Sequence, residues 1–185
     1  MRVFIGIKPE GEFLNQLEAA VAPLRREFPG LNWVPSRNRH LTLRFLGEIT
    51  DKVLNALCGR LDAFPPRVDP FSIQIDRLGG FSGRSGLRVV WAGIQSSFRL
   101  EKLKNWLEKQ LGDMGIAAED RPFHAHITLA RISKPLTDPT LPQKLHQARL
   151  PDLTFPVATV HLFQSRLSAN GPLYSILKEV PLEHA

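Results

Sequence analysis

Residues 40–47, His40-Leu41-Thr42-Leu43-Arg44-Phe45-Leu46-Gly47, open a run in which polar and apolar side chains alternate, and 86 residues further on the pattern returns as His126-Ile127-Thr128-Leu129. Alternation with a period of two marks a strand with one buried face. Residues i and i+2 of a strand share a face, so each copy presents an imidazole and a hydroxyl side by side while Leu41, Leu43, Ile127 and Leu129 turn to a core. A single His-x-Thr carries almost no information. Two copies, each inside an alternating strand, carry a good deal.

The flanking sequence repeats as well. RVFIGI (2–7) suits a strand, and Phe13, Leu14, Leu17, Ala20, Val21 and Leu24 recur at helical spacing before Pro29-Gly30 closes the segment. LNWVP (31–35) is a short strand, the first motif follows, and 51–63 is a second helix stopped by Pro65-Pro66. A second round runs through a strand at 71–76, a glycine-rich loop at 77–86, a strand at 87–94 and a helix at 97–113. It ends with a strand at 121–129 and a helix over 140–150. The tail, TFPVATVHLFQSRL (154–167) and PLYSILKEVPL (172–182), forms a hairpin around Ser168-Ala169-Asn170-Gly171. The fold class is therefore α+β, with antiparallel pairing expected from the short connections. Strand-helix-strand-helix occurs twice, with one motif in each round. If the halves pack about a pseudo-twofold axis, the two His-Thr pairs converge on one cleft. Neither Pro65-Pro66 nor Pro139–Pro142 opens a linker long enough to separate domains, so residues 1–185 are expected to form one domain of two intertwined lobes.

Composition narrows the partner. Twenty-four Lys and Arg against 18 Asp and Glu give a net charge of +6 and a pI near 9.9. That balance favours an anionic partner, nucleic acid or a phosphate ester. No dense basic run points to a membrane patch, no apolar stretch is long enough to span a bilayer, and the first residues lack a signal-peptide pattern. A cytoplasmic monomer is the expectation. Cys58 is the only cysteine, which rules out an intrachain disulfide, and its helical spacing assigns it to packing rather than to nucleophilic chemistry.

Two imidazoles facing one cleft match the needs of opening a cyclic phosphodiester: one accepts a proton from the attacking water, the other donates one to the departing ribose oxygen. Thr42 and Thr128 are placed to donate hydroxyl hydrogen bonds to the phosphoryl oxygens. No metal or cofactor is needed for this scheme. A zinc site built from His40, His124 and His126 is the competing reading, because His-x-His on one strand face is a metal-ligand spacing; an RNA-end-binding module without turnover is another. Arg44 shares the parity of His40 and Thr42, so it is read as a phosphate contact or a solvated rim residue. Phe45 and Arg131 lie five residues after their histidines, and strict alternation turns them away; a bulge or strand end would bring them into the cleft, to sandwich a nucleobase. The loop at 79–86 lacks the ending of a phosphate-binding loop. Trp91 and Trp106 are assigned to the core, and His146, His161 and His184 have no role.

The first motif, together with Arg121-Pro122-Phe123-His124-Ala125-His126-Ile127-Thr128-Leu129-Ala130-Arg131, resembles the paired signatures of the two-histidine phosphoesterases. Within them the chain is most similar to the RNA 2',3'-cyclic phosphodiesterases, also called 2'-5' RNA ligases. The resemblance extends from RVFIGI through 78–93 to Val160-His161-Leu162-Phe163-Gln164-Ser165. It implies two lobes with antiparallel sheets lining a central cleft and helices outside. It further implies hydrolysis of RNA 2',3'-cyclic phosphate ends to 2'-phosphate ends, weak reversible 2'-5' joining of RNA, His40 as general acid and His126 as general base. The chain departs from the pattern at Ala125, where relatives commonly carry proline; alanine preserves the alternation.

Overall fold

The computed structural model describes residues 1–84, 86–134, 138–168 and 171–184. Along the chain these form β1 (Arg2–Ile7), α1 (Glu12–Glu27), β2 (Asn32–Trp33), β3 (Leu41–Glu48), α2 (Asp51–Ala63), β4 (Phe71–Gly83) and β5 (Gly86–Ile94). Then come α3 (Phe98–Asp113), β6 (His126–Arg131), α4 (Leu141–Gln147), β7 (Thr154–Val157), β8 (Thr159–Ser168) and β9 (Gly171–Pro181). The helices form where the sequence is amphipathic and capped. In α3, Leu100, Leu103, Leu107 and Leu111 are all buried on one stripe, and the Ser97 hydroxyl accepts a hydrogen bond from the Leu100 amide. Thr50 caps α2 in the same way through the Val53 amide.

The strands join in the order β7-β4-β5-β6-β3-β1-β8-β9, with β2 added on β6. Every pairing between these strands is antiparallel, and the sheet is curled into a half-barrel. Its middle is thin: β3 and β6 meet through the single residue pair Leu41 and Ile127. On one side lie β3, β1, β8 and β9; on the other lie β6, β5, β4 and β7. The halves exchange chain, because β8 and β9 are made last and complete the half begun by β1. One hydrophobic cluster runs through both halves, from Val3, Ile5 and Leu17 to Leu103, Ile127 and Phe155.

Three expectations need correction. The segment 77–86 is not a glycine-rich loop: Arg77 to Gly83 continue β4 and pair with β5, Gly79 opposite Trp91 and Gly80 opposite Val90. The glycines serve packing rather than turning, since a Cβ on Gly79 would lie 2.3 Å from the Trp91 ring. Ser85, at the turn, lies outside the described residues, as do Ala169 and Asn170 of the β8–β9 turn. The segment 121–125 is not strand either; β6 starts only at His126. Pro122 has no N–H to give a ladder, and the carbonyls of His124 and Ala125 are taken by the His126 ring and the Ile94 amide. The helix expected over 140–150 is shorter, Leu141–Gln147.

Gly6 is the tightest point beneath the first motif. An added Cβ would sit 2.5 Å from the Leu41 carbonyl oxygen, a backbone atom that cannot swing aside. Gly6→Ala should therefore destabilise the protein by about 1–3 kcal/mol, read as a lower urea midpoint with an unchanged m value; a neutral result would show that β1 and β3 can slide apart at no cost.

Candidate active site

Antiparallel continuation from the Leu41–Ile127 pair sets His40 across from Thr128 and Thr42 across from His126, so the two motifs are related by a local twofold axis. Both strands then break register at the same point. On β1, Gly6 is opposite Thr42 but the next residue, Ile5, is opposite Arg44, leaving Leu43 unpaired. On β5, Trp91 is opposite Thr128 but Val90 is opposite Ala130, leaving Leu129 unpaired. Each is a β-bulge, and each inverts the alternation beyond it. The bulge carbonyls find partners outside the ladder: Leu43 O accepts from Lys104 Nζ at 2.8 Å and Leu129 O from the Val34 amide at 2.8 Å.

The bulges decide which side chains reach the cleft. Phe45 comes round to the histidine face, where its ring meets Phe4 at 5.7 Å and is 52% exposed. Arg131 comes round likewise and is exposed. Arg44 goes the other way. Neither a phosphate contact nor a solvated rim residue, it is 4% exposed. It pairs with Glu108 on α3 at 3.1 Å and donates to the Ala117 carbonyl.

The two histidines are held identically. His40 Nδ1 lies 2.7 Å from the carbonyl oxygen of Asn38, and His126 Nδ1 lies 2.7 Å from that of His124. A carbonyl only accepts, so Nδ1 carries the proton and Nε2, at the far side of the ring, keeps its lone pair in the neutral form. Asn38 is itself fixed, its side-chain amide donating to Pro172 O at 2.8 Å, and buried Arg39 is tied to Glu18 on α1. Aromatic rings wall both imidazoles. Phe4 and Tyr174 lie 4.6 and 5.0 Å from His40, and Phe81 lies 4.9 Å from His126. Beside His40 a cavity of about 490 Å³ opens, lined by Trp33, Pro35, Thr128, Arg131 and Tyr174 among others.

Burial pushes the His40 pKa down to about 4; the Asn38 carbonyl opposes the shift, and the charges of Arg131 and His126 add to it. His126 is lowered too, by burial first, against the His124 carbonyl and with help from His124 and Arg131. His124 does not join the two in a ligand cluster: among the described residues, no group of three or more His, Cys, Asp or Glu side chains is placed to hold a metal ion. It lines a separate cavity with Trp91, Lys104 and Phe123. Trp91 is buried, as expected, while Trp106 is partly buried and donates to the Phe64 carbonyl. Cys58 is partly buried against the core.

The model of one family, described as the 2'-5' RNA ligase superfamily, matches residues 13–168. The chain belongs to that superfamily. It is 31% identical over 192 residues to the RNA 2',3'-cyclic phosphodiesterase of Thermotoga maritima, covering 99% of this chain and 96% of the relative. It is 34% identical over 149 residues to the RNA 2',3'-cyclic phosphodiesterase of Aeropyrum pernix, covering 80% and 84%. Among solved structures, Escherichia coli LigT in complex with 3'-AMP superposes with a TM-score of 0.77 at 30% identity, covering 98% of this chain and 97% of that one.

In this member of the 2'-5' RNA ligase superfamily, several cleft residues had no signal of their own. Tyr174 and Phe4 reach the site from strands remote in sequence and Trp33 from the short strand before the first motif, and the carbonyls of Asn38 and His124 act through backbone atoms that any residue supplies. The repeat offered one clue, since each carbonyl lies two residues before its histidine.

The lowered pKa values have a consequence for stability. The unfolded chain takes up a proton near pH 6.5 that folded His40 refuses until about pH 4. The contribution of neutral His40 is thus complete above about pH 6.5 and is lost as pH falls towards 4, with His126 acting in the same sense. Urea midpoints of the wild type should drop across this window, and those of His40→Gln should drop less. Parallel curves for the two proteins would show that His40 is not desolvated.

Proposed function

We propose that the protein hydrolyses RNA 2',3'-cyclic phosphate ends to 2'-phosphate ends, without a metal or other cofactor, by paired histidine acid–base catalysis. The observation that carries the reading is the twofold pair of imidazoles, each with its Nδ1 proton committed to a carbonyl two residues upstream and its Nε2 left for chemistry. The names of the relatives, RNA 2',3'-cyclic phosphodiesterases, support the substrate class, and the net charge of +6 suits an RNA partner.

His126 Nε2 accepts the proton of the attacking water as its oxygen bonds to phosphorus. His40 Nε2 donates a proton to O3' as the P–O3' bond breaks, leaving the phosphate on O2'. The cavity supports this division of labour, which spacing alone left open. The nucleoside that owns O3' needs a walled site, and the cavity lined by Trp33, Pro35 and Tyr174 adjoins His40. Arg131, in the same lining, is placed to stack on its base. Thr42 and Thr128, one on each side of the local axis, donate hydroxyl hydrogen bonds to the phosphoryl oxygens. Free His40 is neutral near pH 7, so the acid form is created by the substrate itself: an anionic phosphate entering a poorly hydrated site raises the pKa of the imidazole it touches. We further read residues 1–185 as one domain of two intertwined lobes, monomeric and cytoplasmic.

The test is an RNA ending in a 2',3'-cyclic phosphate, incubated with the protein in excess EDTA, with the position of the product phosphate determined. A 2'-phosphate end is expected. His126→Ala and His40→Ala should each lower turnover by about 10²- to 10⁴-fold while the protein still binds the RNA. A 3'-phosphate product would overturn the assignment of O3' as leaving group. Activity that vanished in EDTA and returned with Zn²⁺ would overturn the metal-free mechanism, and binding without turnover in the wild type would overturn the enzyme.

A further inference from the structure

The outer side of α3 carries a group of residues that the cleft chemistry does not use. Leu100, Leu103, Leu107 and Leu111 turn to the core, so helical spacing sets Phe98, Lys102, Trp106 and Lys109 along another stripe, roughly 17 Å long. Phe98 is 80% exposed, and Phe64, just past the end of α2, is 49% exposed. Phe64 is nonetheless fixed in place. Trp106 Nε1 donates to its carbonyl at 3.1 Å, and the Arg60 guanidinium lies over its ring at 4.2 Å. Cations surround both rings. Of the described residues lining the two cavities beside them, Arg67, Arg99, Lys102 and Lys109 are cationic and only Asp69, paired with His184, is anionic. Among the described residues, Arg67, Arg99 and Lys102 are exposed and form no ion pair. Exposed phenylalanines alone are ordinary. Set among unpaired cations, they form a surface for single-stranded nucleic acid, whose phosphates take the charges and whose bases stack on the rings.

This surface is continuous with the active site. A cavity of about 510 Å³ begins at Trp91 and at His124, whose carbonyl holds the His126 ring. It shares Ser97 with the cavity beside Phe98, and Asn105 with the cavity beside Phe64. Resting on the cyclic phosphodiesterase reading, we propose that α3 binds the body of a single-stranded RNA whose cyclic-phosphate end lies in the cleft. Arg67, Arg99 and Lys102 take its phosphates, and Phe64 and Phe98 stack its bases. The chemistry itself needs only the terminal nucleotide, so α3 adds affinity for long RNA without touching the reacting atoms. Long strands are thereby preferred over mononucleotide cyclic phosphates with the same end. Contacts of this kind grip backbone and ring faces and read no sequence. An acidic peptide would satisfy the cations but leave two exposed rings without a partner; a nucleic acid uses both.

Two substrates separate the cleft from α3. One is 2',3'-cyclic AMP, which fills the cleft alone. The other is a single-stranded RNA of about 20 nucleotides with a 2',3'-cyclic phosphate end, longer than one such binding site covers. Binding is read separately, by fluorescence anisotropy of the same RNA ending in a 2'-phosphate. Arg99→Gln/Lys102→Gln should weaken this binding and make the plot of log Kd against log salt shallower by about 1.4, at about 0.7 per lost phosphate contact. Phe98→Ala should weaken it about tenfold, as expected for one lost base stack, and Phe98→Trp should preserve it. KM for the long RNA should rise in the same proportion, while its kcat and both constants for 2',3'-cyclic AMP stay at wild-type values. Unchanged RNA binding in these variants, or an equal loss on 2',3'-cyclic AMP, overturns the α3 site and leaves the phosphodiesterase standing. Displacement of the RNA by oligoglutamate of equal length and concentration would give the surface to an acidic protein and overturn the site likewise. A wild type that opens neither substrate overturns the phosphodiesterase reading and the α3 site with it.

Discussion

An extra residue in each motif strand, Leu43 in β3 and Leu129 in β6, sets the direction of the side chains that follow it, Arg44 and Phe45 in one strand and Ala130 and Arg131 in the other. A bulge leaves a backbone group without its ladder partner, and a buried carbonyl left unpaired costs on the order of 1–3 kcal/mol. Both are satisfied, by an ammonium group from α3 in one case and by a backbone amide next to β2 in the other. The ammonium group of Lys104 is also paired with Glu108, which reaches Arg44 as well. Thus α3, in the sequence of the second half, secures the bulge of the first. The direction of Phe45 is held by an ion network on the opposite face of the sheet.

Symmetry of backbone does not give symmetry of environment. The two imidazoles share a hydrogen-bonding pattern, but His40 sits deeper, between Phe4 and Tyr174, and the charge of Arg131 weighs on both. Duplicated strands supply two imidazoles with the same hydrogen-bonding pattern, and unlike walls then make them unequal. The asymmetry arises from residues outside the repeat: Trp33 beside β6, and Tyr174 from the C-terminal hairpin.

Much of this was legible in local sequence. The two motifs, the helices α1 to α3 and the antiparallel α+β character follow from periodicity and caps, because those signals are decided within a few residues. The bulges were not legible. His-Leu-Thr-Leu-Arg-Phe reads as unbroken alternation, which is why Arg44 reads as a phosphate contact or a solvated rim residue and Phe45 reaches the cleft only conditionally; the break is imposed by β1 passing on one side and α3 on the other. The glycines at 79 and 80 misled for a related reason. Their role is to make room for Trp91 and Leu87 across the hairpin, and nothing within the segment announces a partner seven or more residues away.

The exchange of chain between the halves also bears on how the molecule is made. β1 and β3 leave the ribosome early, but the outer neighbour of β1 is β8, more than 150 residues later in the chain. Until that strand emerges, β1 has an open edge and Phe4 lacks the ring of Phe163 that stacks on it. The half built on β1 therefore cannot finish folding until β8 and β9 have emerged, unlike beads on a string that fold in turn. The long sequence separation makes this closure slow. The cavity beside His40, whose wall includes Tyr174 on β9, waits on the same late strands.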